Sequence, residues 1–242
     1  GRAVRIRWCS IRRAIPPTSS YRPTPALGTN TASLCNRPVC SNFDSVTATR
    51  RPSPRDRLLD VADHLFYGRG IRAIGVDAIV AAADTAKTTL YGHFGSKDEL
   101  VVAYLRRRSD LWREHLTAEL ASRGGPPTDR ILHVFALLDR SLADPGFRGC
   151  PFINACAEFT DDHPAVTVAR EHRGWLRRTF AELSGEAGAQ APDRLAGQLL
   201  MLHDGAMIAA HIDDDPEAAR WARSAAATLL HTATGASATR EQ

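Results

Sequence analysis

The chain has 242 residues, 43% of them hydrophobic and 24% charged, with a formal net charge of +4. That length allows one large or two small domains and a core that needs no covalent staples. No run of about 18 apolar residues occurs, so no membrane span is expected. The five cysteines (Cys9, Cys35, Cys40, Cys150 and Cys156) follow neither zinc-ribbon nor disulfide-scaffold spacing.

The charge is unevenly spread. Residues 1–49 carry seven arginines against the single acid Asp44, and residues 50–108 carry eleven cations against seven acids. Residues 109–242 reverse the balance, with thirteen arginines against nineteen acids. A basic segment followed by an acidic body suits a nucleic-acid-binding module on an acidic scaffold.

Residues 1–49 are rich in Pro, Ser, Thr and Arg, and Pro16, Pro17, Pro23, Pro25 and Pro38 would interrupt any helix. They are expected to be disordered or a non-native extension, with native initiation near Val46. The alternative is a basic arm that tracks phosphates. No apolar h-region or small-residue cleavage site follows the first arginines, so no secretory signal is expected. With Cys150 and Cys156 read as reduced thiols, the expected location is cytoplasmic.

From Arg55 onward the period is helical. Leu58, Leu59, Ala62, Leu65 and Phe66 share one face of a first helix, with Ser53 and Pro54 as its start and Gly68 and Gly70 as its end. Val76, Ile79 and Val80 begin a short second helix, and Leu90, Tyr91 and Phe94 fall on a third. Ser96 and Glu99 form a capping box for a long fourth helix, which Gly124-Gly125-Pro126-Pro127 ends.

Thr128 is expected to cap a fifth helix carrying Ile131, Phe135 and Leu138. Cys150 to Phe159 reads as a short sixth, and His163-Pro164 opens a seventh. Pro192-Asp193 starts a strongly apolar eighth, Leu195 to Ile212, and the acids at 213–217 cap a last helix running to about Thr232. No window alternates with period two. The expectation is an all-α fold of about nine helices: a helix-turn-helix domain over 50–98 and a helical ligand-binding and dimerisation domain over 99–242.

Residues 71–100 read IRAIGVDAIVAAADTAKTTLYGHFGSKDEL. Two short helices joined at Ala83-Asp84-Thr85 fit a helix-turn-helix, whose second helix presents its N-terminal residues to base edges in the major groove. Lys87, Thr88 and Thr89 form its first turn, and Tyr91 and His93 lie on the same side or its flank. Lys97 stands at the next helix start, where backbone N–H groups also favour a phosphate. The only two lysines of the chain, Lys87 and Lys97, both fall in this segment.

Leu90-Tyr91-Gly92-His93-Phe94-Gly95-Ser96-Lys97-Asp98-Glu99-Leu100 resembles the second half of the TetR family signature throughout. The first half departs: Asp84 replaces the usual Gly of the turn, and Ala86 the usual Ser. Asp tolerates a left-handed turn better than most residues. Losing the Ser removes an N-cap worth ~1 kcal/mol, with Thr85 as a substitute cap one residue earlier. The resemblance implies DNA contacts for Thr85, Lys87, Thr88, Thr89, Tyr91, His93 and Lys97, with base edges for Thr88 and Thr89 and phosphates for Lys87, Tyr91, His93 and Lys97. Arg51 and Arg55 are candidates for flanking phosphates or the minor groove, and a plain solvated role is the alternative.

Gly149-Cys150-Pro151-Phe152-Ile153-Asn154-Ala155 and His203-Asp204-Gly205-Ala206 resemble ligand domains of an LmrA/YxaF-like subgroup of TetR regulators. This implies a small-molecule effector, a homodimer formed by the last two helices and a double-stranded operator as partner. Phe135, Phe152, Asn154, Phe159, Trp175, His203 and Met207 are the pocket candidates, with plain core as the alternative for each. Ala218, Ala219, Ala222, Ala225 and Ala226 give the last helix a small-residue face suited to close packing in the dimer.

No nucleophile elbow, phosphate loop or paired-carboxylate signature occurs, so no enzyme, cofactor or metal is expected. The competing sensor reading is a metal or thiol switch built from Cys150, Cys156 and His163.

Overall fold

The computed structural model describes residues 53–235, so Arg51 and every expectation for residues 1–49 lie outside the described residues. Within them the chain forms nine α-helices and no strand. They are α1 (Pro54–Arg69), α2 (Val76–Ala82), α3 (Lys87–Phe94), α4 (Lys97–Arg123), α5 (Pro127–Leu142), α6 (Pro151–Glu158), α7 (Pro164–Glu186), α8 (Pro192–Ile212) and α9 (Ala218–Gly235).

The punctuation follows side-chain chemistry. Ser53 accepts from the Asp56 N–H with Pro54 at the first helical position. Gly70 ends α1 at φ 89°, a conformation that favours glycine. Ser96 accepts from the Glu99 N–H, as a capping box requires, and His163 Nδ1 accepts from the Ala165 N–H at the start of α7. Two expected caps differ. α5 begins one turn's edge earlier, with Pro126 as N-cap instead of Thr128, because Pro127 fits the first helical position. α3 begins after Ala86 with no side-chain cap, so Thr85 does not replace the missing Ser.

Two apolar clusters organise the helices. The first joins Leu58, Leu65 and Phe66 of α1, Ile79 of α2, Leu90 and Phe94 of α3, and Leu100, Val101, Tyr104 and Leu105 of α4. Phe152 and Ala155 of α6 and Ala165, Val168 and Ala169 of α7 close it. The second joins Trp112 and Leu116 of α4 to Ile131, Val134, Phe135 and Leu138 of α5, Leu176 and Phe180 of α7, Leu195 and Leu199 of α8, and the alanines of α9. Each large side chain buried this way is worth roughly 1.5–3 kcal/mol. α4 is thus a strut shared by both cores, and the first core extends past residue 98.

Polar contacts tie α1 to α4. Arg108, 4% exposed, pairs with both carboxylate oxygens of Asp63 at 2.6 and 2.9 Å. Arg107 pairs with Asp60 at 2.5 Å. A second clamp joins α6 to the α1–α2 loop: the Glu158 carboxylate accepts from the Ile71 N–H at 2.9 Å and the Arg72 N–H at 2.6 Å.

The alanine face of α9 is used inside the chain. Ala218, Ala219, Ala222 and Ala226 are buried in the second core, against the expectation that this face meets a partner. Small side chains let α9 lie close to its own neighbours, and the outward side carries Trp221, 67% exposed.

Candidate DNA-binding and effector sites

The α2–turn–α3 unit is built by hydrogen bonds that the turn residues make possible. Ala83 N–H donates to Ile79 O at 2.9 Å and Thr85 N–H to Val80 O at 3.0 Å. Between them Asp84 adopts φ 47°, a left-handed conformation in which the family's usual glycine is at ease and Asp is tolerated. Ile79, Val80, Leu90 and Phe94 are buried beneath, and they fix α3 with its other face outward.

That outward face carries most of the expected residues. Thr88, Tyr91 and Gly92 follow at three- and four-residue spacing and are exposed. Thr89 is half-buried and His93 exposed on the flank of the same face. Thr85 is half-buried in the turn. Lys87 is exposed and pairs with Asp77 of α2 at 2.6 Å, a contact that raises the ammonium above its ordinary pKa. Arg55 is exposed and lies over the Phe94 ring at 5.2 Å, beside the helix-turn-helix.

Lys97 is differently employed. Its ammonium donates to Ile71 O at 2.8 Å and lies 5.9 Å from the Phe66 ring centroid. Burial pulls its pKa below the usual value. It braces the α1–α2 loop, and of its three donors one is committed there.

The effector candidates divide. Phe152, His203 and Met207 line one cavity, among α4, α5, α7, α8 and the loop 143–150. The cavity has a volume of about 70 Å³ and opens to solvent. The other four candidates lie elsewhere. Phe135 is core, stacked on Phe180 with ring centroids 6.0 Å apart. Asn154 donates to Arg148 O at 2.9 Å and lines a separate cleft with Glu158 and His211. Phe159 stacks on His163 at 3.8 Å, and Trp175 packs on the second core beneath Arg113.

The cavity also contains residues the pattern reading missed: Tyr67, Trp112, Phe147, Cys150 and His172. Tyr67 belongs to α1, yet its hydroxyl donates to Gly149 O at 3.0 Å and accepts from the Arg148 N–H at 2.9 Å. Its partners lie more than eighty residues away, so no local signal marks it. His172 accepts or donates at Nδ1 to Ser109 Oγ at 3.0 Å and stacks on Phe152. Burial, with Arg113 and His203 adding to it against Asp204, pushes its pKa down to about 3.

The sensor alternative finds no assembled centre. Burial pushes the Cys150 thiol up to about 11, so it is a protonated thiol of low reactivity at neutral pH. His163 is stacked on Phe159 and caps α7. Among the described residues no three His, Cys, Asp or Glu side chains are grouped to hold a metal ion. Among them, too, no helix is long and apolar enough to cross a membrane.

Comparison with known proteins agrees with this geometry. Residues 58–104 match the family model described as bacterial regulatory proteins, tetR family, and residues 127–226 match the tetracyclin repressor-like C-terminal domain. The structure of SCO4454, a TetR-family transcriptional regulator from Streptomyces coelicolor, is 33% identical with a TM-score of 0.71, over 75% of this chain and 96% of that one. The HTH-type transcriptional repressor DhaR of Mycobacterium sp. (strain GP1) is 28% identical over 69% of this chain and 87% of its own. The HTH-type transcriptional regulator Rv1255c of Mycobacterium tuberculosis is 25% identical over 148 residues, and the chain spans 61% of its length. These matches do not support the narrower LmrA/YxaF likeness. A helix-turn-helix whose signature residues stand where the fold needs them, joined to a matching C-terminal domain, leads to one conclusion: the chain belongs to the TetR family of bacterial regulatory proteins.

Proposed function

We propose that the protein is a cytoplasmic, sequence-specific transcriptional repressor that binds a palindromic operator as a homodimer and is released by a small molecule. The observation that carries this reading is the α3 face, where Thr88 and Tyr91 stand outward over the buried Leu90 and Phe94. Thr88 and Thr89 read base edges. Lys87, Tyr91, His93 and Lys97 contact phosphates, Thr85 stands with them in the DNA-binding set, and Arg51 and Arg55 take flanking phosphates or the minor groove. The helix-turn-helix module is taken as 50–98 and the effector and dimerisation module as 99–242.

Repression is the output named for DhaR, and the same output is proposed for this chain. Dimerisation through the last two helices is supported by their outward faces. Met201 is 70% and Ile212 73% exposed on α8, and Trp221 stands out from α9. Apolar side chains of that size, spaced along one side of α8, are ordinarily covered.

Footprinting of the purified chain on fragments of its own genome tests the reading. The expected result is protection of short two-fold-symmetric sites, lost in Thr88→Ala. Retention of every protected site by Thr88→Ala would contradict the assignment of α3.

A further inference from the structure

His203 is 4% exposed, and among the described residues neither of its ring nitrogens has a hydrogen-bond partner. It lies on the wall of the cavity described above. A buried imidazole with both nitrogens unsatisfied is costly, and a ligand that supplies the missing bond recovers that cost. The surroundings say which bond. Nδ1 is 3.8 Å from Asp204 Oδ1, too long for a hydrogen bond but close enough for a carboxylate to favour the proton on Nδ1. Asp204 is ionised: burial opposes this, but the Arg173 guanidinium, which donates to Oδ2 through both Nε and Nη2, outweighs the burial. In the neutral ring with its proton on Nδ1, Nε2 is the acceptor open to a ligand donor.

The remaining walls restrict the ligand further. Among the described residues no Lys or Arg lines the cavity, so an anion gains no partner there. The one carboxylate, Asp144, already accepts from the Gly146 N–H at 2.7 Å. Phe152 lies flat on His172, with ring centroids 3.8 Å apart and 14° between the planes, and Trp112 and Phe147 complete an aromatic lining. Flat walls select flat ligands, since aromatic rings gain most in offset-stacked or edge-to-face arrangements.

We infer that the cavity takes a small, uncharged aromatic compound carrying one hydroxyl or N–H donor, which it gives to His203 Nε2. A phenol is the simplest member of this class. The inference rests on the ligand-responsive reading proposed above, and it is testable apart from it, because the probe binds the chain without DNA.

Calorimetric titration of the full chain with phenol, anisole, benzoate and benzylammonium provides the test. Anisole keeps the ring and loses the donor, and the two ions carry opposite charges. Phenol is expected to bind at least tenfold more tightly than anisole, with benzoate and benzylammonium weaker than phenol. In His203→Leu the phenol-to-anisole ratio falls towards one. In His203→Gln, whose amide oxygen is again an acceptor, part of the ratio returns. Circular dichroism and the melting temperature of each variant establish that it is folded, and a variant that fails to fold leaves the wild-type ratio as the deciding result. Equal affinity for phenol and anisole, tighter binding of either ion, no binding of any probe, or an unchanged ratio in folded His203→Leu overturns the inference. An operator complex that forms while phenol fails to bind overturns this ligand class alone. Selective phenol binding by a chain that binds no operator supports the site and counts against the regulatory reading.

Discussion

At the scale of single residues, Asp84 and Lys97 each hold loop backbone around the helix-turn-helix. Asp84 holds φ 47° in the turn that sets α3. A β-branched residue there pays the left-handed penalty of roughly 1–2 kcal/mol. Asp84→Val is expected to lower stability by about that amount in urea unfolding, and Asp84→Gly to stay within about 0.5 kcal/mol of the wild type. Lys97 braces Ile71 O, and its remaining donors are the ones proposed to meet phosphate. Lys97→Ala is expected to weaken binding to every sequence and to lower the salt slope by about one unit. An unchanged slope would leave it a brace alone. The motif around these residues was readable because it is contiguous and its chemistry is local. The failure of Thr85 to replace the cap lost at Ala86 and the engagement of Lys97 were not, since both depend on where the neighbouring backbone lies.

His172 belongs to the same scale. Its folded form is neutral down to about pH 3, whereas in the unfolded chain it titrates near its ordinary value of 6.5. As the pH falls below 6.5 the unfolded state takes up a proton that the folded state refuses, so stability falls. The loss is at most about 1.4 kcal/mol per pH unit, and it continues until the folded value is reached. Urea unfolding between pH 7 and 5 is expected to show this slope in the wild type and a flatter one in His172→Gln. Parallel slopes would place the acid sensitivity elsewhere.

At the scale of elements, the helices themselves were legible, because apolar period, Pro at the first position and Ser caps act within one turn. What pattern could not supply is which helices meet. α4 divides its length between two cores, and α1 reaches the cavity wall through Tyr67. Only three of the seven pocket candidates line that cavity. An aromatic side chain in a helical pattern looks the same in a core, where Phe135 sits, as on a cavity wall, where Phe152 sits. The Tyr67 hydroxyl bridges α1 to the loop at Arg148 and Gly149. This contact is the route proposed from cavity occupancy to α1 and the helix-turn-helix. Tyr67→Phe, which keeps the ring and loses both hydrogen bonds, is expected to cost about 1–2 kcal/mol of stability. It is also expected to reduce the effect of ligand on operator affinity. A variant with full coupling would remove this contact from the route.

At the scale of the whole molecule, the outward stripe of α8 with Trp221 of α9 is the surface proposed to meet a second copy. Met201→Glu with Ile212→Glu is expected to shift sedimentation from dimer to monomer at micromolar concentration and to abolish tight operator binding while the monomer stays helical. A wild type that sediments as a monomer would remove the dimer. The alanine run of α9 was a misleading signal for this surface, because small residues permit close packing against any neighbour, including the same chain.

The central claim is that the α3 faces of two subunits read one symmetric duplex. Selection of bound duplexes from a random pool by the purified chain tests it most directly. The account predicts an enriched palindrome whose half-sites lie about 34–36 Å apart, one helical turn centre to centre, or a multiple of it. Recovery of the pool without enrichment, or of a single unpaired half-site, would contradict it.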